Sequence, residues 1–184
     1  GDLMLNRIML NLNEPCTFED VSYIKPGRYI GIWWGMHMQK YTWSQGPKHG
    51  ATTAITKQYI DFAAKHNFDG VLVEGWNYGW EEWKDYKFAV PYPDFDIVEL
   101  SAYAKAKGVK IIGHHETAGN TKAYESQLDS AFQFCNKYDI TTVKTGYVGG
   151  VLDGVEHHNG QYGVRHYRKV IETAAKYKVN IDNH

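Results

Sequence analysis

Apolar and polar positions along the chain switch between two periods. Short runs rich in β-branched and aromatic residues read as strands: Tyr29 to Trp34 (YIGIWW), Gly70 to Trp76 (GVLVEGW), Val109 to Glu116 (VKIIGHHE), Thr141 to Tyr147 (TTVKTGY) and Val179 to His184 (VNIDNH). Between them the apolar residues take helical spacing. Ala51 to Asn67 carries Ile55, Tyr59 and Phe62 on one side, and Phe95 to Lys107 is stopped by Gly108. Asn120 to Tyr138 puts Tyr124, Leu128, Ala131 and Cys135 on one stripe, and Tyr162 to Tyr177 forms a fourth helix. Leu3 to Leu12 reads as a further strand and Pro15 to Gly27 as a loop.

Strands alternating with helices of this length predict βαβ units and a parallel sheet. Such a sheet is either open and doubly wound or part of a (β/α)8 barrel. No strand is followed by GxGxxG or GxxxxGK[ST], the loops that cradle nucleotide phosphates. Instead the strands end in polar and aromatic side chains: Trp34 and His37, Glu74 and Trp76, His114 to Glu116, Lys144, and Asn183 with His184. Catalytic groups of a barrel stand at the C-terminal ends of several strands, which favours the barrel. Strand starts step by roughly 30 to 40 residues, so eight such units would need about 300 residues. The expectation is therefore an α/β chain holding the first half of a TIM-type barrel, about five strands and four helices, and forming a fragment of a larger protein. Residues 1–28 would be a lead-in from a preceding domain and 29–184 the partial catalytic barrel.

Composition narrows the function classes. The chain has 184 residues, 43% hydrophobic and 22% charged, which suits a packed core rather than disorder. Twenty basic against 21 acidic residues leave a net charge of −1, so there is no basic footprint for nucleic acid. No apolar run is long enough to span a membrane. The opening GDLMLNRIML lacks the regions of a signal peptide. Cys16 and Cys135 have no zinc-type spacing and read as two thiols. The aromatic content, 6 Trp, 14 Tyr and 7 Phe, is concentrated beside Gly, Asn and Glu in loops. Indole and phenol faces placed there offer flat apolar platforms with a polar edge, which suit sugars.

The strongest candidate chemistry lies in Gly113-His114-His115-Glu116-Thr117. Strand alternation puts His114 and Glu116 on one face and His115 on the other. Glu116 could then act as a general base with His114 orienting substrate, and a purely structural hydrogen-bond cluster is the other reading. Lys144 in VKTG could bind sugar hydroxyls or form a Schiff base, or simply be solvated; Gly146, on the same face, leaves room there. Glu74 to Trp83 (EGWNYGWEEW) suits a loop lining a cleft, or aromatics covering a barrel rim, and Trp33, Trp34 and His37 invite the same two readings. A zinc site from His114, His115, Glu156, His157 and His158 is disfavoured because no metal-type spacing recurs. The run Gly154 to Gly160 reads as a polar loop before a helix that Asn159 would cap.

In order, KPGRYIGIWWGMH, GVLVEGWNYGW, IIGHHET, VKTGYVGG and VNIDNH resemble glycoside hydrolase family 97 over most of the chain. The resemblance is strongest to the inverting, calcium-dependent α-glucosidases associated with starch utilisation. It implies an N-terminal β-sandwich, a catalytic barrel and a C-terminal β-domain in the whole protein. Retaining members, including α-galactosidases, carry an aspartate nucleophile at the end of the fourth strand, and the matching position here is Gly146. In the inverting branch Glu116 matches a catalytic base, while His114, Lys144 and His184 match positions that contact the first-subsite sugar. A second base directly after His184, the general acid and the calcium-ligating glutamates would lie outside these residues, so calcium would belong to the parent protein. The expected parent is an exo-acting α-glucosidase of the periplasm or outer membrane of a Gram-negative bacterium. Its partners would be an α-glucoside oligosaccharide, the other barrel half and the flanking β-domains. The isolated chain is expected to be inactive and to fold poorly alone. An α-galactosidase of the same family, a non-catalytic carbohydrate-binding fragment and a metal-dependent hydrolase stand as alternatives.

Overall fold

A computed structural model describes residues 15–184; the strand expected at Leu3 to Leu12 lies outside them. Among the described residues there are seven strands: β1 (Tyr29–Gly31), β2 (Gly70–Leu72), β3 (Lys110–Glu116), β4 (Thr142–Gly146), β5 (Val151–Leu152), β6 (Glu156–His157) and β7 (Asn180–Asn183). Six helices accompany them in the same residues: α1 (Trp33–His37), α2 (Thr53–Lys65), α3 (Ile97–Ala106), α4 (Thr121–Glu125), α5 (Leu128–Lys137) and α6 (Gln161–Lys176).

The main sheet has the order β1-β2-β3-β4-β7, every neighbouring pair parallel. A doubly wound sheet reverses its strand order at a switch point. This one never reverses, as a barrel requires. It is also curled: the Tyr29 hydroxyl on β1 donates to Asp182 Oδ2 on β7 at 2.8 Å, so the two outer strands of the sheet meet through their side chains. Burial and that carboxylate push the Tyr29 phenol up to about 12. The helices seal the outer face. Ile60, Leu100, Phe132 and Val170 join Val71, Ile111 and Val143 in one core.

Local chemistry starts the helices. Thr52 accepts from the Ile55 amide, Asp96 from that of Glu99 and Asn120 from that of Ala123, each satisfying a first-turn donor. Gly108, at φ +69, follows α3.

Several expectations need correction. The first strand ends at Gly31, and Trp33 and Trp34 lie on α1. Pairing with β2 runs only to Leu72, so beyond it the backbone closes its own hydrogen bonds as a helical turn. β2 in turn stops well short of Trp76. Gly75 turns the chain at φ +80 against the Trp43 backbone, where a Cβ would stand 2.7 Å from the carbonyl oxygen. On α2 the buried residues are Thr56, Ile60 and Ala63, while Phe62 is exposed. The single helix expected from Asn120 to Tyr138 is two. Gln127 breaks it, because its side-chain amide is captured by the Tyr86 carbonyl at 3.0 Å. Asn159 does not cap α6; Gly160 holds that position without a side-chain bond. The loop before α6 contains the β5–β6 hairpin, turned at Asp153 (φ +48) and Gly154 (φ +80).

Candidate active site

The inward faces of β3 and β4 carry the candidate chemistry. Register pairs His114 with Lys144 and Glu116 with Gly146, so these four side-chain positions share one face. Glu116 is buried, and its carboxylate is held by backbone. Oε1 accepts from the amides of Thr117 (3.0 Å), Ala118 (2.7 Å) and Val148 (3.0 Å). Two of those donors come from the turn after β3, which Ala118 (φ +47) and Gly119 (φ +76) make possible. The third comes from the loop after β4. Oε2 lies over Gly146: a Cβ added there would collide with it. The glycine and the carboxylate thus share one space, and no larger residue fits at 146 with Glu116 in this position.

His114 is buried against Trp80, whose ring lies 5.8 Å away and nearly parallel. Burial, reinforced by the charge of Lys144, holds its imidazole well below the ordinary histidine range. His114 is therefore neutral, and its Nε2, 3.8 Å from Glu74 Oε1, is not ion-paired with that carboxylate. The fixed donor to Glu74 is the Trp43 indole, 3.1 Å from Oε2. Lys144 places its ammonium 3.9 Å from Glu74 Oε1. Burial pushes the Glu74 carboxyl up; the Trp43 bond and Lys144 oppose that shift, and the nearby charge of Glu116 adds to it.

The sequence places Glu74 at a strand end and at the start of a cleft-lining loop without giving it a specific contact, and it gives Trp43 no role. Glu74 was detectable as an acid directly after the apolar run Gly70 to Val73. Trp43 arrives from the segment between α1 and α2 and carries no local signal. Trp43, Trp80 and Trp83 form one indole cluster beside Glu74 and His114, with centroids 5.0 to 6.1 Å apart. Trp76 instead points to the helix layer. Its indole donates to the His114 carbonyl at 2.9 Å and its ring stacks on Phe134. The loop Glu74 to Trp83 therefore divides between a cleft wall and core packing.

His115 faces outward, fully buried among Phe88, Tyr124 and Phe132, with Nδ1 2.9 Å from the Tyr124 hydroxyl. Burial alone lowers its imidazole to about 3. His184 extends the ladder, its amide donating to the Thr145 carbonyl at 3.2 Å, and its side chain is exposed. Trp33, Trp34 and His37 stack on one another on α1, with Trp33 and Trp34 exposed. Among the described residues no three His, Cys, Asp or Glu side chains converge as a metal site, and no helix is long and apolar enough to cross a membrane.

Two carboxylates, a neutral imidazole, an ammonium and an indole wall at the C-terminal mouth of a curled parallel sheet form a site suited to sugar hydroxyls and proton transfer. Comparison with known proteins agrees with that geometry. The family Glycoside hydrolase 97 matches residues 33–184. A Glycoside Hydrolase Family 97 enzyme from Pseudoalteromonas sp. strain K8, solved in complex with acarbose, is 51% identical and superposes with a TM-score of 0.90, over 96% of this chain and 29% of that one. A second structure from the same source, in complex with panose, is 50% identical with a TM-score of 0.92, over 100% of this chain and 30% of that one. The retaining alpha-galactosidase of Bacteroides thetaiotaomicron is 28% identical over 189 residues, which take in 100% of this chain and 25% of that protein. The chain spans less than a third of the length of each of these relatives.

Proposed function

The chain belongs to glycoside hydrolase family 97, and on that premise we propose that it forms part of the catalytic barrel of an exo-acting, inverting α-glucosidase acting on starch-derived oligosaccharides. The observation that carries the reading is the shared space of Glu116 and Gly146. A retaining enzyme needs a carboxylate nucleophile. The resemblance assigns that role to position 146, where this chain has no side chain and where the Glu116 carboxylate blocks one. Inversion instead needs a carboxylate that takes a proton from water.

Glu116 has the form of that base. Three amides occupy Oε1, which leaves Oε2, on the Gly146 side, as the oxygen to accept the proton. Being held by backbone, it does not have to reorient during reaction. Glu74, Lys144 and His114 would bind the hydroxyls of the first-subsite sugar, with His184 joining them from β7. The indoles of Trp43, Trp80 and Trp83 would cover its apolar face. The general acid and a second base would come from residues outside this chain. So would the calcium ligands that the resemblance implies. The α-linked glucose of panose, bound by a structure half identical to this chain, supports the choice of glucoside.

A second reading, an α-galactosidase, is favoured by the 28% identical relative of that name. Parallel assays decide between them, using the active polypeptide that carries this chain, panose, and an aryl α-galactoside. Glucose release from panose with the galactoside turned over far more slowly is expected. A preference for the galactoside would overturn the glucosidase reading. The 184 residues alone should release no glucose.

A further inference from the structure

The third amide on Glu116 comes from a loop with little else to hold it in place. Val148 is exposed, and Gly149 (φ +107) and Gly150 after it have no neighbouring atom where a side chain would start. Before it, the Gly146 carbonyl accepts from the Thr117 amide and hydroxyl. Between these stands Tyr147, the first residue after β4, buried and turned toward α6. Its hydroxyl lies 3.0 Å from His166 Nε2 on α6. His166 Nδ1 lies 2.8 Å from Glu125 Oε1 at the end of α4, and Lys169 holds the other oxygen of Glu125.

The direction of this chain of bonds follows from its ends. A carboxylate accepts, so His166 carries its proton on Nδ1, and Nε2 accepts from the Tyr147 hydroxyl. Burial keeps His166 below the ordinary histidine range even beside Glu125, consistent with a neutral ring. The rings of Tyr147 and His166 also meet edge to face at 5.4 Å. Three elements distant in sequence thus converge on the residue that precedes the Val148 amide.

We propose that Glu125, His166 and Tyr147 form a positioning relay behind the site, which fixes the Val148 amide and through it the aim of the Glu116 carboxylate. The proposal deepens the reading of Glu116 as base and rests on it. None of the three residues touches the reacting atoms. All act through Val148.

The test is a double-mutant cycle in the active polypeptide that carries this chain. Tyr147→Phe keeps the ring and removes the hydroxyl. It should lower kcat about tenfold, a modest share of what misplacing a catalytic group can cost, with KM within about twofold. His166→Gln should do the same, which covers the case in which one variant folds poorly. In a Glu116→Gln background, on an aryl glycoside with a good leaving group, Tyr147→Phe should cost nothing further, because its effect runs through the missing carboxylate. The same tenfold loss in both backgrounds, or a changed KM with kcat intact, would overturn the relay. A crystal structure of the Tyr147→Phe protein decides independently of activity. The Val148 amide should have moved out of hydrogen-bond range of Glu116, and an unmoved amide would refute the proposal. Absence of glycosidase activity in the unsubstituted protein would instead sink the functional reading and leave the structural arm standing.

Discussion

His114 and Glu116 on the inward face of β3 look onto Glu74, Lys144 and Gly146, whereas His115 on its outward face and Tyr147 just after β4 are sealed among Phe88, Tyr124, Phe132 and His166. The two faces draw on similar residue types. They differ in what the side chains meet. Inward, His114 and the two carboxylates are buried as well, but the titratable groups face one another across the strand ends. Outward, aromatic rings and helices exclude water, and each polar atom that bonds does so within the protein. Adjacent histidines therefore sit in different surroundings: His114 beside Glu74 and Lys144, His115 in the aromatic core.

Substitutions can break this contrast. The largest effect is expected at Glu116. Glu116→Gln should cut turnover by about 10² to 10⁴-fold, the usual worth of a general base, while the thermal midpoint barely moves. Kinetics and calorimetry on one preparation read both. Equal losses of turnover and stability would erase the functional difference between the faces. Gly146→Ala comes next. Its Cβ meets the Glu116 carboxylate, so that group must shift, and about 100-fold in kcat is expected from such a displacement. Steady-state rates against wild type check it, and an unchanged rate would mean that the Glu116 position does not matter to the chemistry.

The outward face predicts a smaller effect, and on stability alone. His115 stays neutral in the folded protein down to about pH 3, while an unfolded histidine takes up its proton near 6.5. Between those values the unfolded chain binds more protons, so stability rises with pH and falls on acidification. The slope from this one group is about 1.4 kcal/mol per pH unit, with no contribution above neutrality and the full loss reached below pH 3. Urea melts from pH 7 to pH 4 should show the decline. His115→Gln removes this group's share and should make the decline shallower, leaving the shares of the buried His114 and His166, while kcat of the folded enzyme stays unchanged. An identical slope in the variant would place the acid sensitivity elsewhere.

Much of this was legible in the sequence because it depends on local periodicity. Alternation along β3 separates His114 and Glu116 from His115 whatever the partner strands are. Strand ends rich in polar residues pointed to the mouth of a barrel. What the sequence concealed came from tertiary capture. Gln127 breaks a helix because the Tyr86 carbonyl takes its side chain, and Trp43 reaches Glu74 across 31 positions of sequence. Trp33 and Trp34 carry a strand-like pattern yet coil, since β2 ends where they would need a partner. The β5–β6 hairpin belongs to a third kind: its Asp153-Gly154 turn is a signal present in the sequence that the polar composition around it masked.

The central claim is that Glu116 activates water opposite an empty position 146, and stereochemistry tests it most directly. The anomer first released from maltose by the active polypeptide, followed by proton NMR before mutarotation, should be β-glucose. First release of α-glucose would mean retention, and would contradict the reading of Glu116 as a base acting on water.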